Sequence, residues 1–142
     1  MKNIATYYNQ NLYYTTYALS REVASVAENA FMDLGLTPSD AYLIMCVNEK
    51  PNIQPTEISE RILLAPSTIT RMIEKLEKRS IVRRTQEGKY TYVTATPKGV
   101  ELHDSILKKW DEINAVYTTA LGEADTEKLV ATTEAAALRL RG

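Results

Sequence analysis

The sequence predicts a mainly α-helical fold with one small β-hairpin. Three observations carry that expectation. Apolar residues recur at three- and four-residue spacing in several long stretches, Ser80 to Ala95 switches to weak alternation of β-branched and aromatic residues, and Thr37-Pro38 and Thr96-Pro97 each mark a helix start.

At 142 residues, 44% of them hydrophobic and with a net charge of -1, the chain reads as a single globular domain with a real core. The longest uncharged apolar run, Ala41 to Val47, is far short of the ~20 residues that cross a bilayer. No basic start followed by an apolar stretch opens the chain, so it is read as cytoplasmic, with no membrane partner. One cysteine, Cys46, and one histidine, His103, exclude an internal disulfide and leave no zinc-type ligand set, hence no metal site. Five glycines without a phosphate-cradling pattern offer nothing to a nucleotide, so neither a cofactor nor an enzyme is expected.

From Asn11 to Leu34 the spacing predicts one long helix closed by Gly35. Leu12, Leu19, Val23, Val26, Ala30 and Leu34 line one side, and Tyr13, Tyr17, Ala24, Ala27 and Phe31 another. A helix apolar on two faces needs two partners, one within its own fold and one on another subunit. Thr37, Pro38 and Asp40 then start a second, buried helix that runs to Val47. Pro51 and Pro55 punctuate a loop in which Ile53 can form a brief strand or a plug. A short helix from Thr56 to Leu63, a turn at Leu64 and Ala65, and a helix from Pro66 to Arg79 make a helix-turn-helix. "SIVRRT" and "YTYVTA", with "QEGK" between them, read as the hairpin. A helix from Pro97 to Tyr117 or Leu121 ends at Gly122, and a last helix places Leu129, Thr133, Ala136 and Leu140 on one face.

Charge is not spread evenly over these elements. Residues 61–98 hold nine Lys or Arg against three acids, a balance of +6, whereas the rest of the chain holds eight bases against 15 acids, or -7. On the helix from Pro66, turning about 100° per residue, Ile69, Met72, Ile73 and Leu76 share the core side. Ser67, Arg71, Glu74 and Lys78 point the other way, Thr68 and Lys75 lie on one flank and Thr70 on the other. Short hydroxyls let a helix N-terminus approach a major groove, and an arginine can fork onto guanine. Arg71 is therefore the candidate base contact, supported by Ser67, Thr68, Thr70 and Lys75. Lys78, Arg84 and the hairpin-tip Lys89 are candidates to hold phosphate, with Arg83 beside them. The same face also suits a protein-interaction winged helix that dimerises without reading DNA.

The stretches "LTPSDAYLIM", "TEISERILLAPSTITRMIEKLEKRSIVRR" and "VTATPKGVEL" resemble the MarR-type family of bacterial winged helix-turn-helix transcriptional regulators, the multiple antibiotic resistance regulators. The resemblance implies a winged lobe at residues 36–99 and dimerisation helices at 1–34 and 100–142 within a single MarR-like domain. It also implies a homodimer on double-stranded DNA at a pseudo-palindromic site, often repressing transcription until a small ligand or an oxidant lowers DNA affinity. Three departures stand out: the wing "RRTQEGKYTYV" is short and lacks the usual aspartate followed by arginines, Ala65 stands where a capping Ser or Asp is common, and Ser80 replaces a glycine.

Three further features have two readings each. Tyr7, Tyr8, Tyr13, Tyr14 and Tyr17 crowd the N-terminus. Tyr13 and Tyr17, with Tyr42 and Met45, are candidates to line a pocket for a small aromatic effector; as interface packing the tyrosines need no ligand. Cys46, within "YLIMCV" and expected to have no adjacent cation to depress its pKa, reads as a buried thiol rather than a redox sensor. His103 reads as surface packing or a cap rather than a metal ligand.

Overall fold

The computed structural model describes residues 3–142; residues 1 and 2, which the sequence reading assigned to the N-terminal arm, lie outside the described residues. Six α-helices and one hairpin follow in order: α1 (Leu12–Phe31), α2 (Pro38–Glu49), α3 (Pro55–Ile62), α4 (Pro66–Lys78), β1 (Val82–Glu87), β2 (Tyr90–Ala95), α5 (Pro97–Leu121) and α6 (Glu123–Arg141). The mainly helical architecture with a single antiparallel hairpin is the one the periodicity predicted. Two compact units result, Phe31–Lys109 and the remainder formed by the residues up to Ala30 with Trp110–Gly142. Their boundaries fall inside α1 and α5. Phe31 and Ile106, both fully buried, belong to the central unit and carry its limits into those helices.

In the central unit, α2 supplies the middle of the core with Ala41, Leu43, Ile44, Cys46 and Val47. Its start is a reciprocal capping box: the Thr37 hydroxyl accepts the Asp40 N–H at 3.0 Å, and Asp40 Oδ2 accepts the Thr37 N–H at 3.0 Å. Around α2 pack α3 and β2, while α4 packs on α3 and β1. The hairpin pairs Val82 with Ala95 through Glu87 with Tyr90, so Gln86 and Glu87 extend the strand rather than forming the expected four-residue loop. A two-residue turn suffices because Gly88 takes a φ of +61°, which suits the twist of adjoining strands. Ile53 adds an isolated antiparallel bridge, its carbonyl accepting the Val93 N–H at 2.9 Å. Of the two roles suggested for it the plug holds, its side chain being fully buried, while the backbone makes a single bridge rather than a strand.

Gly99, in the first turn of α5, is a packing requirement: a Cβ there would overlap the Ile81 carbonyl oxygen. Asn48 fixes the same place from α2 by donating to the Gly99 carbonyl at 3.1 Å.

The other unit is built from α1, the second part of α5 and α6. Asn11 caps α1 by accepting the Tyr13 N–H at 2.9 Å, and the Tyr117 hydroxyl donates to the Val23 carbonyl at 2.6 Å. This unit leaves much apolar surface uncovered, with Tyr13 83%, Val130 61% and Leu140 81% exposed. Among the described residues no helix is long and apolar enough to cross a membrane.

Candidate nucleic-acid interface

Helix α4 owes its orientation to its apolar stripe. Ile69, Ile73 and Leu76 are buried, Met72 is half-buried, and Ser67, Thr70, Arg71, Glu74 and Lys78 are left exposed. The turn before it is set by Leu63 in the left-handed conformation (φ +59°). The Ser59 hydroxyl secures that turn by donating to the Leu64 carbonyl at 2.5 Å. Ala65 occupies the N-cap and offers no side-chain acceptor, so the first N–H groups of α4 have no side-chain cap. An anion is the natural partner for such a helix end.

Five of the nine cations in the basic window are bound into the fold. Arg61 pairs with Glu49 and Glu57, Lys75 with Asp40, Arg84 with Glu77, while Arg79 and Lys98 donate to backbone carbonyls. The side chains of Arg71, Lys78 and Arg83 have no hydrogen bond or ion pair among the described residues; that of Lys89 has only a cation–π contact, its Nζ 5.5 Å from the Tyr90 ring centroid. These four lie on the outward face of α4 and on the hairpin.

Two sequence-derived candidates therefore have other partners than a polyanion. Lys75 lies on the flank of α4 with its Nζ 2.9 Å from Asp40 Oδ2. Arg84 shares the side of β1 with buried Val82, and its guanidinium meets Glu77 at 2.9 Å and Glu74 at 3.9 Å. Thr68, on the same flank as Lys75, is half-buried. Arg83, rather than Arg84, is the outward cation of β1. Strand alternation starting from an apolar Val82 was the signal that separates it from Arg84.

The candidate effector residues are divided between the two units, Tyr13 and Tyr17 in one and Tyr42 and Met45 in the other. Met45 lines a cavity of about 450 Å³ with Asn48, Glu49, Val100, His103 and Asp104. There His103 Nδ1 is shut off from solvent and has no hydrogen-bond partner among the described residues. The terminal-helix unit holds an apolar cavity of about 440 Å³ lined instead by Leu19, Val23, Tyr117, Leu121, Leu129 and Val130, among others. Burial pushes the Cys46 thiol pKa up, as expected for an inert thiol, but a cation is adjacent: Arg61, distant in sequence, opposes the shift. No group of three or more His, Cys, Asp or Glu among the described residues is placed to hold a metal ion.

The helix-turn-helix, the hairpin pressed on its second helix and the free cations on both define a winged helix-turn-helix domain. Residues 36–88 match the model of the MarR family. It is similar to the HTH-type transcriptional regulator SarZ of Staphylococcus aureus, with 29% identity over 84 residues, 59% of this chain and 57% of SarZ. The match thus spans less than two thirds of that relative. The transcriptional repressor CouR bound to a 23-mer DNA duplex has the same fold, with a TM-score of 0.86 at 18% identity over 96% of this chain and 99% of CouR. CouR from Rhodococcus jostii RHA1 bound to p-coumaroyl-CoA aligns with a TM-score of 0.75 at 19% identity, over 87% of this chain and 89% of that one.

Proposed function

We propose that the chain is a sequence-specific DNA-binding transcriptional regulator of the cytoplasm, a ligand-responsive repressor acting as a homodimer on a pseudo-palindromic operator. The observation that carries this reading is the stripe of Ser67, Thr70, Arg71 and Lys78 on the outward side of α4. Among the described residues its cations have no ion-pair partner, nor do Arg83 and Lys89 on the adjoining hairpin, where Lys89 meets only the Tyr90 ring. In a major groove Arg71 forks onto a guanine, and Ser67 and Thr70 keep the helix end close to the bases. Phosphate holds the uncapped N–H groups of α4, and Lys78, Arg83 and Lys89 neutralise further phosphates. The balance of -7 outside the basic window disfavours docking in any other orientation.

Dimerisation is supported by the apolar side chains that α1 and α6 leave exposed, more than an isolated unit of this size keeps in water. Two-fold symmetry would set the paired α4 helices about one DNA turn, ~34 Å, apart. The ligand response is supported by the CouR relative, whose structure holds p-coumaroyl-CoA.

The test is selection of a bound sequence from a random duplex pool, followed by affinity at two salt concentrations. An inverted repeat bound ~10³-fold or more above random DNA is expected. Weak binding without an enriched motif and without salt dependence would assign the basic face to a protein partner instead.

A further inference from the structure

We propose that Lys75 and Arg79 are positioning residues, a two-point clamp that fixes the roll of α4 on the turn joining α1 to α2, and that neither lends its charge to DNA. The inference rests on the DNA-reading function proposed above, and deepens it by separating the side chains that orient α4 from those that read.

Lys75 lies in the last turn of α4 and Arg79 one turn later at its C-cap, both on the flank between the buried and outward stripes. Lys75 Nζ donates to Asp40 Oδ2 at 2.9 Å. Asp40 is only 1% exposed, its Oδ2 already accepts the Thr37 N–H, and its Oδ1 has no hydrogen-bond partner among the described residues. Lys75, 52% exposed at its side chain, is the one cation that the described residues bring into ion-pair contact with this carboxylate. Swinging it out to a phosphate would leave a buried charge uncompensated, a heavier penalty than one exposed phosphate contact returns.

One turn later the Arg79 guanidinium donates to the Gly35 carbonyl at 2.6 Å and to the Leu34 carbonyl at 3.2 Å. Those oxygens belong to the helical end that Gly35 closes at φ +64°, where carbonyls lack partners within their own helix. Lys98 Nζ meanwhile donates to the Arg79 carbonyl at 3.0 Å, holding the same end of α4 from the start of α5. The buried stripe of Ile69, Ile73 and Leu76 sets which side of α4 faces inward, and the two contacts a turn apart, to residues 34–40, hold its roll about that setting.

Asp40→Asn tests the clamp, because the amide oxygen still accepts the Thr37 N–H while the charge that holds Lys75 is gone. Were Lys75 a phosphate-binding residue for which Asp40 competes, losing the acid would tighten binding to every duplex. The clamp requires the reverse: binding to the selected duplex weaker by roughly tenfold, the scale of one misread base pair, random-duplex affinity changed less than about twofold, and the salt slope unaltered. Lys75→Gln and Arg79→Lys should show the same pattern. A salt slope lower by about one in Lys75→Gln, or tighter binding by Asp40→Asn, overturns the proposal while leaving the DNA-reading function standing. If the wild-type protein shows no sequence preference, that function fails instead, and the clamp is then judged on the free protein. Amide hydrogen exchange over residues 66–78 should run about tenfold faster in Asp40→Asn and Arg79→Lys, both confirmed folded by thermal unfolding; wild-type exchange rates in both overturn it.

Discussion

Arg84 donates its backbone N–H to Glu77 Oε2 at 3.0 Å, and its guanidinium donates twice to Glu77 Oε1, at 3.2 and 2.9 Å. One carboxylate on α4 thus receives both the main chain and the side chain of β1, so the hairpin is fastened to the helix whose outward face it flanks. The backbone N–H and then the guanidinium hold the Glu77 carboxyl below its ordinary value of 4.5. Asp33, hydrogen-bonded to Lys109, and Glu57, to Lys50, are lowered as well.

A carboxyl whose folded pKa is depressed binds fewer protons in the folded state than in the unfolded one. Its stabilisation is complete above the unfolded value and is lost as the pH falls through the folded one. Acid titration should therefore weaken the fold progressively below about pH 4.5, and Glu77→Gln should flatten that loss. Denaturant unfolding at pH 7 and at pH 3.5 checks this; an identical pH dependence in wild type and Glu77→Gln would exclude Glu77 as a contributor.

The cations should separate in binding assays as they do in the fold. Arg71→Ala is expected to cost ~1 to 3 kcal/mol on the selected duplex and to relax discrimination at one position per half-site. Lys78→Ala, Arg83→Ala and Lys89→Ala should each weaken all duplexes alike and lower the salt slope by about one. Arg84→Ala should leave the slope unchanged, because its charge is already spent on Glu77. Fluorescence anisotropy over a salt series reads all five, and a slope change for Arg84→Ala equal to that for Arg83→Ala would remove the distinction.

Two backbone positions give stability predictions of opposite sign. Ser80, just beyond α4, takes a φ of +60°, while its N–H reaches the Glu77 carbonyl at 2.9 Å and the Ile81 N–H reaches Leu76 at 2.9 Å. A side chain in that left-handed cap is strained, so Ser80→Gly should stabilise the fold by about 1 kcal/mol. Gly99→Ala should destabilise it by about 2 kcal/mol or more, despite alanine's higher helix propensity, because the Ile81 carbonyl fills the space. Chemical denaturation midpoints decide both.

Cys46 is buried, and burial outweighs the opposing influence of Arg61 on its thiol. Its reaction with a thiol reagent at neutral pH should be slow in the folded protein and become fast only on unfolding. Rapid labelling under native conditions, with DNA binding lost in wild type and kept in Cys46→Ser, would restore a redox role.

The elements themselves were legible because local rules governed them. Periodicity placed the core stripe of α4, Thr37 with Asp40 announced the start of α2, and the glycine-containing turn announced the hairpin. The concentration of charge in residues 61–98 was equally a matter of counting. What each charge is for could not be read the same way. Asp40 is 35 residues from Lys75, Gly35 44 from Arg79, and Cys46 meets an arginine at position 61. Such partners are chosen by how helices pack, since a buried carboxylate takes whichever cation the packed flank brings within reach. Local patterning specifies the helices, the hairpin and the basic face; which cations hold α4 in place and which remain free to meet a polyanion follows from how the helices pack.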